Sequence, residues 1–108
     1  MLFMTKTRLS VRKAKYSSFT SEKELRAELI SEGYYIFPWQ DDPGAHYAPH
    51  QHAHDEFIVV QSGSMVFVIE GKEIRLERGD MLVLPEGTQH EAINDSEEPV
   101  RYFICSRH

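Results

Sequence analysis

The sequence predicts an all-β fold, an antiparallel sandwich or barrel that carries one helix on its outside. Two observations lead there. After Gly33 the apolar period drops from near four to two, and from that point short β-branched and aromatic runs alternate with Gly and Pro turns. Before Gly33 only one segment has a helical signature, so strands must supply almost all of the core.

That segment is "SEKELRAELISEG". Ser21 with Glu24 three residues later forms a capping-box pattern, and Leu25, Leu29 and Ile30 make a narrow apolar face. Gly33 can stop the helix in a left-handed conformation, so a helix over 22–32 is expected. "YYIFPW" then reads as a strand whose Pro38 places it at an edge or bulge. "EFIVVQ" and "SMVFVIE" flank Ser62-Gly63, a hairpin-type break. "KEIRLE" alternates cleanly, and "DMLVLP" and "VRYFIC" complete the strands. No internal repeat or linker interrupts the pattern, so a barrel over about 34–105 within a single domain of residues 21–108 is expected.

Charge sets residues 1–20 apart. Lys6, Arg8, Arg12, Lys13 and Lys15 give this arm +5 with no acid, while the remainder carries -10. An acidic body repels phosphate, and neither a helix-turn-helix pair nor an aromatic RNA-binding motif accompanies the arm. A solvated edge or a subunit contact is therefore expected, with no nucleic-acid partner. No apolar run reaches the roughly 18 residues of a membrane span, and the opening "MLFMTKTRLS" turns polar too soon for a secretory signal. The single cysteine, Cys105, sits in an apolar run and is expected to be a buried, inert thiol, which fits a cytoplasmic setting.

Chemistry concentrates in "PHQHAHDEF". If the segment is extended, His50, His52, His54 and Glu56 share one face, and imidazoles two residues apart can converge on one ion. His-x-His by itself is equally compatible with a wet polar edge. Glu56 shifts the balance, because a carboxylate at the head of "EFIVV" that points inward with Ile58 and Val60 needs a cation or a partner. Downstream, the turn Pro85-Glu86-Gly87 delivers His90 to the start of another strand. His90 completes a three-His, one-Glu set if that strand lies beside the first.

Here the chain resembles the cupin superfamily. Gly44, His50, His52, Glu56 and Gly63 match the first motif, G-x5-H-x-H-x3-E-x6-G. Gly79, Pro85, Gly87, His90 and Asn94 match the second, G-x5-P-x-G-x2-H-x3-N. Five specified residues at fixed spacing arise by accident in a chain this long with a probability on the order of 10⁻⁵. The resemblance implies a small jelly-roll β-barrel with one metal inside, held by His50, His52, Glu56 and His90. Fe, Mn, Ni, Zn and Cu all suit such a donor set, whereas Ca²⁺ and Mg²⁺ prefer oxygen shells. The resemblance makes a dioxygenase the first expectation for a small organic substrate, with isomerase, decarboxylase and lyase chemistries behind it. A non-catalytic module that binds or senses a small ligand, and a barrel with a structural metal, are the alternatives. One fold hosts many chemistries.

Strand alternation nominates Tyr47, Phe67, Ile69 and Tyr102 as inward residues near the metal, with ordinary core packing as the competing role of each. Asp55 and Gln89 adjoin ligands and are candidates for orienting an imidazole, and His54 for a supporting or substrate-side role. His46 has no assigned role. Finally, Phe57, Val59, Met81 and Val83 point out of the barrel if their neighbours point in. An apolar surface that broad exceeds what one helix covers, and "RLSV" is free to pair with a neighbour's edge, so a homodimer is expected.

Overall fold

The computed structural model describes residues 6–107; the first five residues of the basic arm and His108 lie outside the described residues. Nine strands and one helix follow in order: β1 (Ser10–Arg12), α1 (Glu22–Ser31), β2 (Tyr34–Asp41), β3 (His46–His50), β4 (Glu56–Ser62), β5 (Ser64–Ile69), β6 (Lys72–Glu77), β7 (Met81–Leu84), β8 (His90–Ile93) and β9 (Val100–Arg107). They form a five-stranded sheet, β1-β7-β4-β9-β2, facing a four-stranded sheet, β3-β8-β5-β6. Every pairing is antiparallel, and the arrangement is the expected all-β jelly roll with its helix outside. No helix among the described residues is long and apolar enough to cross a membrane.

The helix follows its sequence signals. The Ser21 hydroxyl accepts from the Glu24 N–H at 3.1 Å, and Gly33 after the last turn has φ +93°. Leu25 and Leu29 are buried, but Ile30, expected on the same face, is exposed. Pro38 lies in β2, which is an edge strand, where a missing N–H costs no ladder bond.

Strands β4 and β5 do not form the hairpin expected across Ser62-Gly63. β4 pairs with β7 and β9, whereas β5 pairs with β6 and β8, so Gly63 is the corner where the chain changes sheets. A Cβ on Gly63 would stand 2.6 Å from the Pro99 carbonyl oxygen, so a side chain would obstruct that corner. The true hairpin is β5–β6, closed by Glu70-Gly71, both with positive φ as a type I′ turn requires.

Two apolar clusters lie on opposite faces of the five-stranded sheet. Ile58, Val60, Leu82, Leu84, Val100 and Tyr102 point between the sheets and meet Met65, Phe67, Ile69 and Leu76. Phe57, Val59, Met81 and Val83 point out, as alternation predicts, yet each is at most 4% exposed. The chain covers them itself: α1 brings Leu25 and Leu29, the arm brings Tyr16 and Phe19, and Tyr34, Phe103 and Cys105 complete the layer. Burial pushes the Cys105 thiol up to about 12, consistent with an inert side chain. These four residues are therefore covered within the chain and leave no apolar outer face for the expected homodimer to bury. "RLSV" likewise finds its edge at home, since β1 pairs with β7 of the same chain in the register Val11↔Leu82.

The arm is fastened by specific contacts. The Asp80 carboxylate, almost fully buried, accepts from Lys13 Nζ at 2.6 Å, the Ala14 N–H at 2.7 Å and the Glu77 N–H at 2.8 Å. Burial alone would raise the Asp80 pKa, but these bonds and the Lys13 charge outweigh it and hold the carboxyl below its usual range. The Arg78 guanidinium donates to the Ser17 and Phe19 carbonyls, and the Tyr16 hydroxyl donates to Glu32. Gly79 has φ +88°, and a Cβ there would approach Ser17 Cα and N at 2.7 Å.

Two substitutions test this fastening. Gly79→Ala combines left-handed strain with a collision against arm backbone and should cost about 1–3 kcal/mol, read as a lower urea midpoint at unchanged slope. Asp80 has a depressed folded-state pKa, so its contribution is present above the unfolded value and lost as pH falls through the lower folded value. Asp80→Asn should therefore lower stability at neutral pH and flatten the acid limb of the stability profile followed by circular dichroism.

Candidate metal centre

Strand pairing brings the two histidine-bearing stretches together. β3 lies antiparallel to β8, and His50 faces His90 directly in the register. Their ring centroids are 4.3 Å apart, and the His52 ring lies 4.9 Å from His50 and 5.2 Å from His90. One nitrogen from each ring lies within 4.8 Å of the others, close enough that a small inward shift of the rings would let one ion sit at about 2.0–2.1 Å from each.

The tautomers are set by the backbone. His50 Nδ1 is 2.7 Å from the Ala48 carbonyl and His90 Nδ1 is 2.9 Å from the Thr88 carbonyl. A carbonyl only accepts, so each Nδ1 carries the proton and each Nε2 keeps its lone pair. Burial lowers the His90 pKa and the neighbouring His50 and His52 lower it further, against the opposing pull of the Thr88 carbonyl and Glu56. A neutral ring with a free Nε2 is the form that binds a metal. The donor set thus fits a divalent transition ion.

The route to this cluster differs from the one alternation suggested. Residues 51–55 leave the strands and bend at Ala53-His54, so His50, His52, His54 and Glu56 do not all lie along one continuous strand. His52 reaches the cluster from the segment just after β3, and the Glu56 carboxylate, outside the three-histidine group, heads β4 with its oxygens 3.6 Å from His52 Nε2 and 3.4 Å from His54 Nε2. His54 itself is exposed and stands outside the His50–His52–His90 group. His46 pairs with Glu91 across β3 and β8, on the surface.

The ligand-bearing turns are stitched to each other. The Gly87 N–H donates to the His52 carbonyl at 2.8 Å, and the Glu86 N–H donates to Asp55 Oδ1 at 2.8 Å. Asp55 Oδ2 accepts from the Thr7 hydroxyl at 2.5 Å, which brings the arm to the same junction. These bonds hold the Asp55 carboxyl below its usual pKa, the Thr7 bond first. Asp55 therefore positions loops rather than an imidazole. Gln89 is exposed, and among the described residues no hydrogen bond joins it to a histidine ring. Backbone carbonyls do the orienting that both side chains were expected to do.

A cavity of about 300 Å³ opens beside the cluster, at the small end of the range for ligand pockets. His50, His52, Glu56 and His90 lie at one part of its wall, with Ile58, Phe67, Ala92 and Ile104 as apolar lining. Tyr47, Phe67 and Tyr102 line it as expected, but Ile69 does not: it lies in the apolar layer between the sheets. Sequence reasoning missed Phe37 and Trp39, which stack at 5.7 Å and form the exposed rim. It also missed Asp41, which is 7% exposed and accepts from the Tyr47 hydroxyl at 2.6 Å, the Tyr102 hydroxyl at 2.5 Å and the Trp39 indole at 3.0 Å. Alternation in "YYIFPWQD" was a signal for Phe37, Trp39 and Asp41 sharing one face.

Loosening the stitch should loosen the metal. Asp55→Ala leaves every histidine in place, and it is expected to weaken zinc affinity by about tenfold in a chelator-competition titration.

A family model described as a cupin domain matches residues 39–106. Comparison with curated proteins returns no match. Among solved structures, the chain is 31% identical to KdgF from Halomonas sp., covering 70% of this chain and 71% of that one with a TM-score of 0.57. A DUF861 family protein from Thermotoga maritima is 21% identical over 90% of this chain and 97% of its own, with a TM-score of 0.59. The polyketide cyclase RemF from Streptomyces resistomycificus is 21% identical, with a TM-score of 0.63, over 68% of this chain and 54% of that one. The last two likenesses speak to fold alone. With both histidine motifs gathered on one cavity and the family model spanning most of the barrel, this chain belongs to the cupin family.

Proposed function

We propose that the protein holds one divalent transition metal through His50, His52, His90 and Glu56 and acts on a small organic molecule in the adjoining cavity. The observation that carries this reading is the convergence of three imidazoles, two with their Nδ1 protons held by carbonyls, at the wall of an otherwise apolar pocket. Glu56 supports it as a fourth ligand, being a nearly buried carboxylate beside His52 with no cationic Lys or Arg partner in any ion pair found among the described residues. A bound ion with open positions would polarise an enolate, carboxylate or carbonyl.

The lining also bears on the reaction class. Apart from the four ligands, the titratable groups that line the cavity are Tyr47 and Tyr102. Hydrogen bonding to Asp41 leads the upward shift of Tyr47, and burial leads that of Tyr102, so both remain protonated. Neither is poised as a general base. This supports chemistry carried by the metal, as in a dioxygenase, over isomerase, decarboxylase or lyase chemistry that depends on a protein base. The alternative, ligand binding without turnover, shares the same site.

Freshly purified protein should contain close to one equivalent of divalent metal per chain, with single His52→Ala or His90→Ala losing most of it. Full metal retention in the His50→Ala, His52→Ala, His90→Ala triple variant would falsify the reading. The ion recovered follows availability and the affinity order, which favours copper and zinc, so iron reconstitution under nitrogen belongs in the same assay. The homodimer is proposed on separate ground: edge strand β2 presents Tyr35, Phe37 and Trp39 exposed. Light scattering at micromolar concentration should give twice 12.6 kDa, and a mass near 12.6 kDa rejects it.

A further inference from the structure

We propose that Tyr47 and Tyr102, held by Asp41, form a hydrogen-bond-accepting end of the cavity that selects a hydroxylated organic anion. The inference rests on the metal reading above and names the substrate class for that site.

Three strands contribute to this end. Asp41 closes β2, Tyr47 lies in β3 and Tyr102 in β9, so the cluster ties the two sheets together at the cavity's edge. Asp41 Oδ2 takes the Tyr102 proton, and Oδ1 takes the Tyr47 proton and the Trp39 indole N–H. The indole also lies 3.2 Å from the Tyr47 oxygen, to which it donates. A phenol has one proton and two lone pairs. Both tyrosine protons are committed to the carboxylate, so what remains on these oxygens is acceptor capacity, two lone pairs on Tyr102 and one on Tyr47. The buried carboxylate adds negative potential behind them.

The two ends of the pocket are thus opposite in character. The histidine end, with its ion, attracts an anionic oxygen. The tyrosine end repels one and is satisfied only by a donor. Between them stand Ile58, Phe67, Ala92 and Ile104, which offer no polar group. A carboxylate or enolate bearing a distal hydroxyl meets all three requirements. A fluorine in place of that hydroxyl keeps the size and loses the donor, leaving a desolvated acceptor unpaired.

The test uses the full chain loaded with zinc, which is redox-silent. Calorimetry compares para- and meta-hydroxybenzoate with the matching fluorobenzoates and with benzoate. At least one hydroxy isomer should bind about tenfold or more tighter than its fluoro counterpart. Its binding should also shift the indole N–H resonance of Trp39, the one tryptophan in the chain. In Tyr47→Phe and Tyr102→Phe that preference should shrink towards unity while the circular-dichroism spectrum and the zinc content are retained, which separates lost selectivity from lost folding. Equal affinities in both isomer pairs, no binding of either hydroxybenzoate to zinc-loaded protein, an unmoved Trp39 resonance, or a preference that survives both variants each overturns the proposal and leaves the cluster as a structural tie. Failure of zinc itself to bind sinks the metal reading instead. The donor preference is then decided in metal-free protein with para-cresol against para-fluorotoluene, by the same criterion.

Discussion

The antiparallel pairing of β3 with β8 is the contact on which the site depends. It sets His50 opposite His90 in register, so two ligands from stretches forty residues apart meet without any long side chain having to reach. A slip of one residue would turn one ring away from the other, because side chains alternate faces. The register is pinned from both sides. A bulge between Tyr47 and His50 adjusts β3, and the backbone of Gly44 and Ala45 exchanges hydrogen bonds with Asn94 just beyond β8. The stitch from Gly87 to the His52 carbonyl then places the third ring. Three ligands are therefore fixed largely by main-chain bonding, which is stiffer than side-chain packing at a pocket wall.

A 108-residue barrel has little interior to spend on a cavity, and the outer face of the five-stranded sheet offsets that. Opening about 300 Å³ between the sheets removes packing from the inner layer. The second apolar layer, under α1 and the arm, supplies burial that the cavity forgoes, with Leu29, Val59, Met81, Phe103 and Cys105 fully buried there. Gly79 and Asp80 join the two functions. They fasten the arm over the outer layer and also start β7, whose partner β4 carries Glu56 in register with Leu84. Gly79, the first glycine of the second motif, therefore matters through the arm it lets approach, whereas the Gly87 N–H bonds the His52 carbonyl.

How much of this was legible in the sequence follows from what each feature depends on. The helix, six of the strands and the inward-outward alternation of β4 and β7 are local and were legible from period and caps, although Ile30 is exposed. The gathering of His50, His52 and His90 was legible because fixed spacing in two short motifs encodes it, although the single extended face expected through Glu56 is interrupted by the bend at Ala53-His54. Features that depend on which strands become neighbours were not legible. Asp41, Tyr47 and Tyr102 are separated by up to sixty-one residues, and nothing local announces that β2, β3 and β9 converge. The covered outer face was misjudged for the same reason. Alternation identified Phe57 and Val59 as outward, but only the tertiary path of residues 13–19 shows that the arm joins α1 over them.

The same contrast bears on how the cavity would discriminate under the proposed function. Main-chain bonding makes the histidine end rigid, and metal ligation tolerates many anionic oxygens, so that end contributes affinity more than choice. In the substrate selection we propose, the tyrosine end is where identity would be read, because a buried acceptor left unpaired costs more than the bond it would have made contributes. Phe37 and Trp39 stack at the rim, and the Trp39 indole ties that rim to Asp41 and Tyr47. Under the proposed reading, variation at the Asp41 end, where Trp39, Asp41 and Tyr47 lie on the edge strands β2 and β3, would change the substrate without changing the metal.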